Sequence, residues 1–309
     1  MARSKSQTGT KTKTKAKRQA ATIRVGVAGW DYKDWRGIVY PQPRPRGFDP
    51  LPYLAGFLDC IEINTTFYRP PRPSVAERWA ERVADTRDFR FSAKLWQRFT
   101  HDRETAWKKK EVRDTRNGFA PLLEAGRLST LLAQFPWSFK NDETNREWIE
   151  DVHAAFDAFP LVIEVRHASW NVPEFFEWLV EHGIGFVNID QPQFSKSIKP
   201  SAVGTARTGY IRVHGRNYSD WFRKDAGRDA RYDYLYEPDQ LKPWAKRAKQ
   251  LAREDDVEEV DVVFNNHYKG QAVVNALQFK KLMTRRKVEA PPTLAEGFGE
   301  ALSEAGVSV

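Results

Sequence analysis

"VIEVRHASW", residues 162–170, starts as a strand meant for a protein interior and then breaks that pattern. Val162, Ile163 and Val165 suit a buried parallel sheet, yet Glu164 and Arg166 alternate with them, and interiors admit such charges only when they are paired. Successive side chains of a strand face opposite ways. Leu161, Ile163 and Val165 therefore share one face, and Val162, Glu164 and Arg166 share the other. A closed barrel gives both sets a place, the first against surrounding helices and the second toward the axis, with Arg166 nearest the C-terminal mouth.

Four more segments carry the same parity. In "CIEIN" (60–64) Ile61 and Ile63 alternate with Glu62 and Asn64, and in "FRFSAK" (89–94) Phe89, Phe91 and Ala93 alternate with Arg90, Ser92 and Lys94. "GFVNID" (185–190) sets Val187 and Ile189 against Asn188 and Asp190; "GYIRVHG" (209–215) sets Ile211 and Val213 against Arg212 and His214. With 23–29, 128–135 and 260–267 these make eight predicted strands. Helical patterns separate them near 50–58, 74–83, 104–124, 145–159, 172–183, 237–254 and 270–286, while the 191–208 link carries no clear helix.

Eight strands with intervening helices predict a (β/α)8 TIM-type barrel over residues 23–288, followed by a C-terminal appendage at 289–309. An open doubly wound sheet is the alternative, but "GVAGW" has Gly26 and Gly29 without the third glycine of a dinucleotide fingerprint. Residues 1–22 form a basic tail. Seven of the nine net positive charges fall there, on Arg3, Lys5, Lys11, Lys13, Lys15, Lys17 and Arg18, so the body is nearly balanced. Its lack of apolar residues predicts disorder, and a solubilising extension accounts for it more simply than a specific nucleic-acid arm or a mitochondrial presequence. No apolar run approaches the roughly 20 residues of a membrane span, and no secretory signal is evident, so a cytoplasmic location without membrane partners is expected. Cys60, the single cysteine, excludes an internal disulfide and reads as a small core residue.

Charges gathered at the C-terminal mouth of a barrel point to a functional pocket rather than to stability, because a buried ion pair seldom outperforms a hydrophobic replacement. Lys94, Arg166 and Arg212 supply fixed positive charge suited to a phosphate or carboxylate. Glu62 and Glu164 are candidate bases, and His101 and His214 candidate acids. Asn64, Gln134, Asp190, Asn265 and Asn266 are placed to orient a substrate, with Trp30, Tyr68, His167 and Trp170 around it. No cofactor is specified. Glu62, Glu164, Asp190, His214 and His267 are ligand types a divalent metal uses, but tight ligand spacing is missing and three nearby cations would repel the ion. The loop 215–236 interleaves Tyr218, Trp221, Phe222, Tyr232, Tyr234 and Tyr236 with Arg216, Arg223, Lys224, Arg228 and Arg231, a pattern suited either to stacked bases and phosphates or to packing on the rim.

"GVAGWDYKDWRGIVYP", "EINTTFYRPP", "FSAKLWQRFTH", "LLAQFPWSF", "IEVRHASW", "IRVHGRN" with "RYDYLY", and "VVFNNHYKGQAVVNA" resemble, in order from Ile23 to Met283, segments of the YecE-like family (DUF72). The resemblance implies a TIM-type barrel without an established activity. Its wider likeness is to metal-using xylose isomerase and endonuclease barrels, from which this chain departs by placing arginine and lysine at several strand ends. The expected ligand is an anionic small molecule or nucleic acid bearing phosphate, and the expected reaction is hydrolysis of a phosphate ester. A sugar-phosphate isomerase or lyase, and a non-catalytic nucleic-acid binder, are the rival readings.

Overall fold

A computed structural model describes residues 21–221, 223 and 229–309; the tail through residue 20 and Phe222, Lys224 and Arg228 of the long loop lie outside the described residues. Eight strands, β1 (Thr22–Ala28), β2 (Cys60–Ile63), β3 (Arg90–Lys94), β4 (Leu128–Gln134), β5 (Leu161–Glu164), β6 (Gly185–Asp190), β7 (Thr208–Val213) and β8 (Glu259–Phe264), pair in chain order and in parallel. Closure is made by β1 against β8, from Thr22 opposite Glu259 to Val27 opposite Phe264. The sheet is therefore a closed barrel.

Helices α1 (Pro50–Ala55), α2 (Pro73–Arg82), α3 (Lys109–Glu124), α4 (Glu143–Ala155) and α5 (Pro173–Glu181) follow the first five strands. After β7 and β8 come α6 (Pro238–Leu251) and α7 (Gln271–Met283), and α8 (Ala295–Glu304) trails the barrel. Proline stands at the start of α1, α2, α5 and α6, where its fixed φ suits a helix and its missing N–H is not needed. Asp49 and Asp142 cap α1 and α4 by accepting from the backbone N–H of Leu51 and Asn145. Most of these helices bury one stripe, but α7 buries every residue from Ala272 to Phe279. It is enclosed between the barrel and the C-terminal segment, where Gln278 Nε2 donates to the Ala301 carbonyl at 3.0 Å and Leu302 and Val307 are buried.

Ile61, Ile63, Phe91, Ala93, Ile163, Val165, Ile211 and Val213 are all buried on the helix-facing side, as the alternation requires. Strand β6 departs from the expected parity. Glu164 of β5 points to the axis, and the register pairs Val162 with Gly185 and Ile189 with Arg212, so Val187 and Ile189 occupy axis-facing positions. Asn188 turns outward instead: its Oδ1 accepts from Val203 N at 2.9 Å and Ser201 Oγ at 2.7 Å, and its Nδ2 donates to the Val203 carbonyl. The physical reason is the helix-free link from β6 to β7. Irregular backbone over a sheet needs polar partners, and an outward amide supplies them where an outward valine would not.

Candidate functional site

Side chains from opposite walls of the barrel meet on its axis. Arg212 donates from Nε and Nη2 to the two carboxylate oxygens of Glu62, at 2.9 and 2.6 Å, and from Nη1 to Glu164 Oε2 at 3.0 Å and Gln134 Oε1 at 3.1 Å. Tyr210 extends the chain on one side, donating to Glu62 at 3.0 Å beside Ser92. On the other, Arg166 donates twice to Glu164 Oε1, at 2.9 and 2.7 Å, and His214 Nε2 lies 3.1 Å from the same oxygen. Both glutamates are 0% exposed, which interiors tolerate because each faces a guanidinium.

These contacts fix protonation. Burial alone would raise the Glu164 carboxyl, but Arg212, His214 and Arg166 hold it well below the usual carboxylate range. His214 is lowered to about 3, burial outweighing the neighbouring Glu164 and the two arginines adding to the effect. The ring is thus neutral at pH 7, with Nε2–H donating to Glu164 and Nδ1 accepting from Asn265 Nδ2 at 3.1 Å. His101 is lowered to about 4, by burial and then by Lys94 and Arg166.

Above this network, at the C-terminal mouth, opens a cavity of about 790 Å³. Its walls are aromatic: Trp30, Tyr32, Phe67, Tyr68, Trp79 and Tyr232. Its polar lining comprises Asp31, Asn64, Thr65, Lys94, Gln97, His101, Gln134, Arg212, Asn265 and His267. The short turn Thr65–Phe67 after β2 presents Phe67. Gly118 of α3 secures that rim loop, because a Cβ there would stand 2.4 Å from the Pro71 carbonyl. Lys94, the last residue of β3, extends its Nζ over the Phe67 ring, 4.3 Å from the centroid. Among the described residues no carboxylate lies within ion-pair distance of it, and burial, then the Arg212 guanidinium, lowers it to about 7.

Several expected roles change with these positions. Glu62 and Glu164 lie beneath the cavity and are occupied by arginine, so neither is an available base. His101 and His214 are neutral near pH 7 and hold no proton to give as imidazolium. The forks of Arg212 and Arg166 are taken by carboxylates, and Arg166 is further covered by the Trp221 ring at 5.8 Å, which leaves Lys94 as the accessible cation. Trp170 is a core residue, 0% exposed, its Nε1 donating to the Phe139 carbonyl. Asp190 follows the outward parity of β6, where its carboxylate accepts from Arg216 Nε, at 2.9 and 3.2 Å, and is hydrogen-bonded with the Tyr236 side chain. His167 caps a short turn through Ser169, and Asn266 donates to Asn275 and the Tyr234 carbonyl, both away from the cavity.

Trp30, Asn64, Tyr68, Gln134 and Asn265 do line it. Tyr32, Phe67, Trp79, Gln97 and Tyr232 join them, and of these only Tyr232, in the aromatic loop 215–236, carries a signal in the sequence. Tyr32 stacks on His267 with ring centroids 4.4 Å apart, and Phe67 stands in the same "TTFYRPP" loop as Tyr68. Trp79 lies on a helix face where nothing in its spacing separates a pocket wall from core. Among the described residues no group of three or more His, Cys, Asp or Glu side chains is arranged to hold a metal ion. Nor, among them, is any helix long and apolar enough to cross a membrane.

The other end of the barrel interior holds a second polar group. Arg24 Nη1 pairs with Glu259 at 2.6 Å and lies 3.9 Å from Asp261, whose Oδ2 accepts from Ser129 Oγ at 2.6 Å. Asp261 Oδ1 accepts no hydrogen bond among the described residues, and burial raises this carboxyl to about 6.

Fold and site together define a parallel (β/α)8 barrel with a self-neutralised ionic interior under an aromatic-walled pocket at its C-terminal mouth. Residues 24–296 match the model of the family described as "Protein of unknown function DUF72", and the chain belongs to that family. It is 27% identical over 274 residues to the UPF0759 protein YunF of Bacillus subtilis, covering 84% of this chain and 94% of YunF. It is also 29% identical over 154 residues to the UPF0759 protein YecE of Escherichia coli, half of each chain. A crystal structure of a DUF72 family protein from Thermotoga maritima matches with a TM-score of 0.73 and 35% identity, over 85% of this chain and 99% of that one. One from Enterococcus faecalis matches with a TM-score of 0.73 and 25% identity, over 85% and 95%.

Proposed function

We propose that the protein is an enzyme whose mouth pocket binds a small phosphate-bearing ligand with a flat or sugar-like ring. One observation carries this reading: Lys94 is a cation without a carboxylate partner in a pocket whose neighbouring guanidiniums are already neutralised. An anion entering there restores the pairing that burial denies the ammonium. The ring sits among Trp30, Tyr32 and Tyr232, and the amides of Asn64, Gln134 and Asn265 orient its polar edge. Nucleotides, nucleic-acid ends and sugar phosphates all have this chemistry.

Hydrolysis by a glutamate base and a histidine acid is not part of the proposal, since those groups lie below the pocket or are neutral. The isomerase or lyase reading gains instead, because the reactive group facing the ligand is an amine. The carboxylate lining the cavity, among the described residues, belongs to Asp31, which pairs with Arg44 at 3.0 Å. A nucleic-acid binder that uses the basic tail and the 215–236 loop has less support from the loop, since Tyr234 and Tyr236 there pack against each other with centroids 4.9 Å apart.

Titration of the full chain with adenosine and with AMP, followed by the fluorescence of Trp30 and Trp79, tests the reading. AMP is expected to bind at least about tenfold more tightly, a margin of roughly 1.4 kcal/mol. Lys94→Met is expected to remove that preference. Equal affinity for the two compounds in the unaltered protein refutes the role given to the pocket.

A further inference from the structure

The geometry points to Lys94 as a nucleophile: we infer that its amine condenses with an aldehyde or ketone of the bound ligand to form an imine at the mouth of the barrel. The inference rests on the pocket reading above and adds the ligand's second functional group, a carbonyl.

Three features support it. Lys94 ends β3 at the C-terminal mouth, where barrel enzymes hold their reacting groups on rigid strands, and it lines the cavity together with Phe67, over whose ring its Nζ lies. Its immediate contacts leave it free to react: the Phe67 face lies under Nζ, no carboxylate among the described residues is within ion-pair distance, and Arg212 and Arg166 disfavour its positive charge against the opposing pull of Glu62 and Glu164. Burial and Arg212 lower it to about 7, so about half the molecules carry a neutral amine at pH 7, whereas an ordinary lysine has roughly one in three thousand. A purely structural lysine would gain from a carboxylate, and a purely packing role would be better filled by methionine. The site gives Lys94 neither.

The step balances without an external oxidant or reductant. The Nζ lone pair adds to the carbonyl carbon as the C=O π pair moves onto oxygen, and one amine proton passes to that oxygen to give a carbinolamine. The hydroxyl then leaves as water with a proton drawn from solvent, and the C=N bond forms. The resulting iminium keeps a positive charge on the same nitrogen, so a phosphate elsewhere on the ligand retains its counter-charge. Neutral His101, whose ring meets Phe67 edge-on at 4.9 Å between centroids, lines the same cavity and can accept and return the proton in transit.

Two probes separate this inference from the pocket reading. Pyridoxal 5′-phosphate has a ring, a phosphate and an aldehyde; pyridoxamine 5′-phosphate lacks the carbonyl. The full chain is mixed with stoichiometric pyridoxal phosphate at pH 7, reduced with borohydride after seconds, and mapped by peptide mass spectrometry. Lys94 is expected to carry the adduct at least about tenfold above any other lysine, with a rate half-maximal near pH 7, and Lys94→Met is expected to lose that fast phase. Binding of pyridoxamine phosphate without a preferred adduct on Lys94 overturns the inference and leaves the pocket reading standing. Absence of both binding and preferred labelling overturns both. A fast adduct that survives in Lys94→Met also overturns the inference, whatever the probe's affinity.

Discussion

Glu164 and Asp261 are both sealed inside the same barrel, at opposite ends, and their carboxyls shift in opposite directions. Burial pushes each toward the neutral acid, so burial cannot be what separates them. The difference is in partners. Glu164 receives the Arg166 fork, one bond from Arg212 Nη1 and the His214 N–H. Asp261 has one serine hydroxyl, and its nearest guanidinium, Arg24, is 3.9 Å away and engaged more closely by Glu259. The mouth end is a closed ionic network, and the bottom end is an incomplete one. What decides the charge of a buried group here is the number of donors that reach it, not its depth.

The largest test of that contrast is Arg212→Met. It leaves Glu62 and Glu164 facing each other without the cation they share, and a loss of about 3–5 kcal/mol in unfolding free energy is expected. Urea denaturation at pH 7 measures it. Arg24→Met at the bottom is expected to lose only about 1 kcal/mol, because Glu259 is partly exposed and water can replace its partner. Comparable losses from the two substitutions would erase the distinction between the ends.

The second test uses pH, since the two carboxyls contribute slopes of opposite sign. Glu164 is depressed in the fold, so its stabilisation is complete above the ordinary carboxylate range and is lost as pH falls toward its low folded value. Asp261 is raised from 3.8 to about 6, so between those values the folded chain holds a proton the unfolded chain has released. Stability from this group therefore falls as pH rises from about 4 to 6. Asp261→Asn removes the titration, and its stability relative to the unaltered protein is expected to rise by about 2–3 kcal/mol from pH 4 to pH 7. Unfolding free energies at the two pH values give the difference directly. A flat difference would mean that Asp261 ionises in the fold like an exposed aspartate.

Much of this barrel is readable from its strands, because a period of two is strict and a charge on the inner face stands out against valine and isoleucine. Glu62, Glu164 and Arg212 are therefore placed correctly on the axis by alternation alone. Alternation fails at β6, where the same polar–apolar pattern arises for the opposite reason: Asn188 faces a helix-free link and satisfies its backbone. Parity states that two faces differ, not which one is inside. Nor does it show whether a charge is free or consumed. Arg166, Arg212 and Lys94 look alike in sequence as an anion clamp, and only the contacts separate two neutralised guanidiniums from one unpaired ammonium. The aromatic wall was partly hidden for another reason, since Trp79 and Trp170 are both large residues near helical segments, and only one of them turns out to border the cavity.

Lys94 supplies the smallest and most discriminating test, because it belongs to the mouth end but shares the incomplete pairing of the bottom. Its ammonium is lowered from 10.5 to about 7, so the unfolded chain binds a proton that the folded chain holds weakly. The sign follows from linkage: this lysine subtracts from stability below about pH 7, and the penalty fades as pH rises toward 10.5. Lys94→Met fills the same space without the charge and should stabilise the protein by about 1–2 kcal/mol at pH 6, the full shift being reduced because Lys94 keeps some exposure to the cavity. At pH 9.5 most of that gain should be gone. Urea midpoints of the two proteins at both pH values decide the matter. A variant less stable than the parent at pH 6 would mean that the ammonium is satisfied in the fold, which would return Lys94 to the closed network and leave the pocket without its unpaired cation. A gain that shrinks with pH would instead mark a residue kept at the expense of stability, as groups that act on a ligand commonly are.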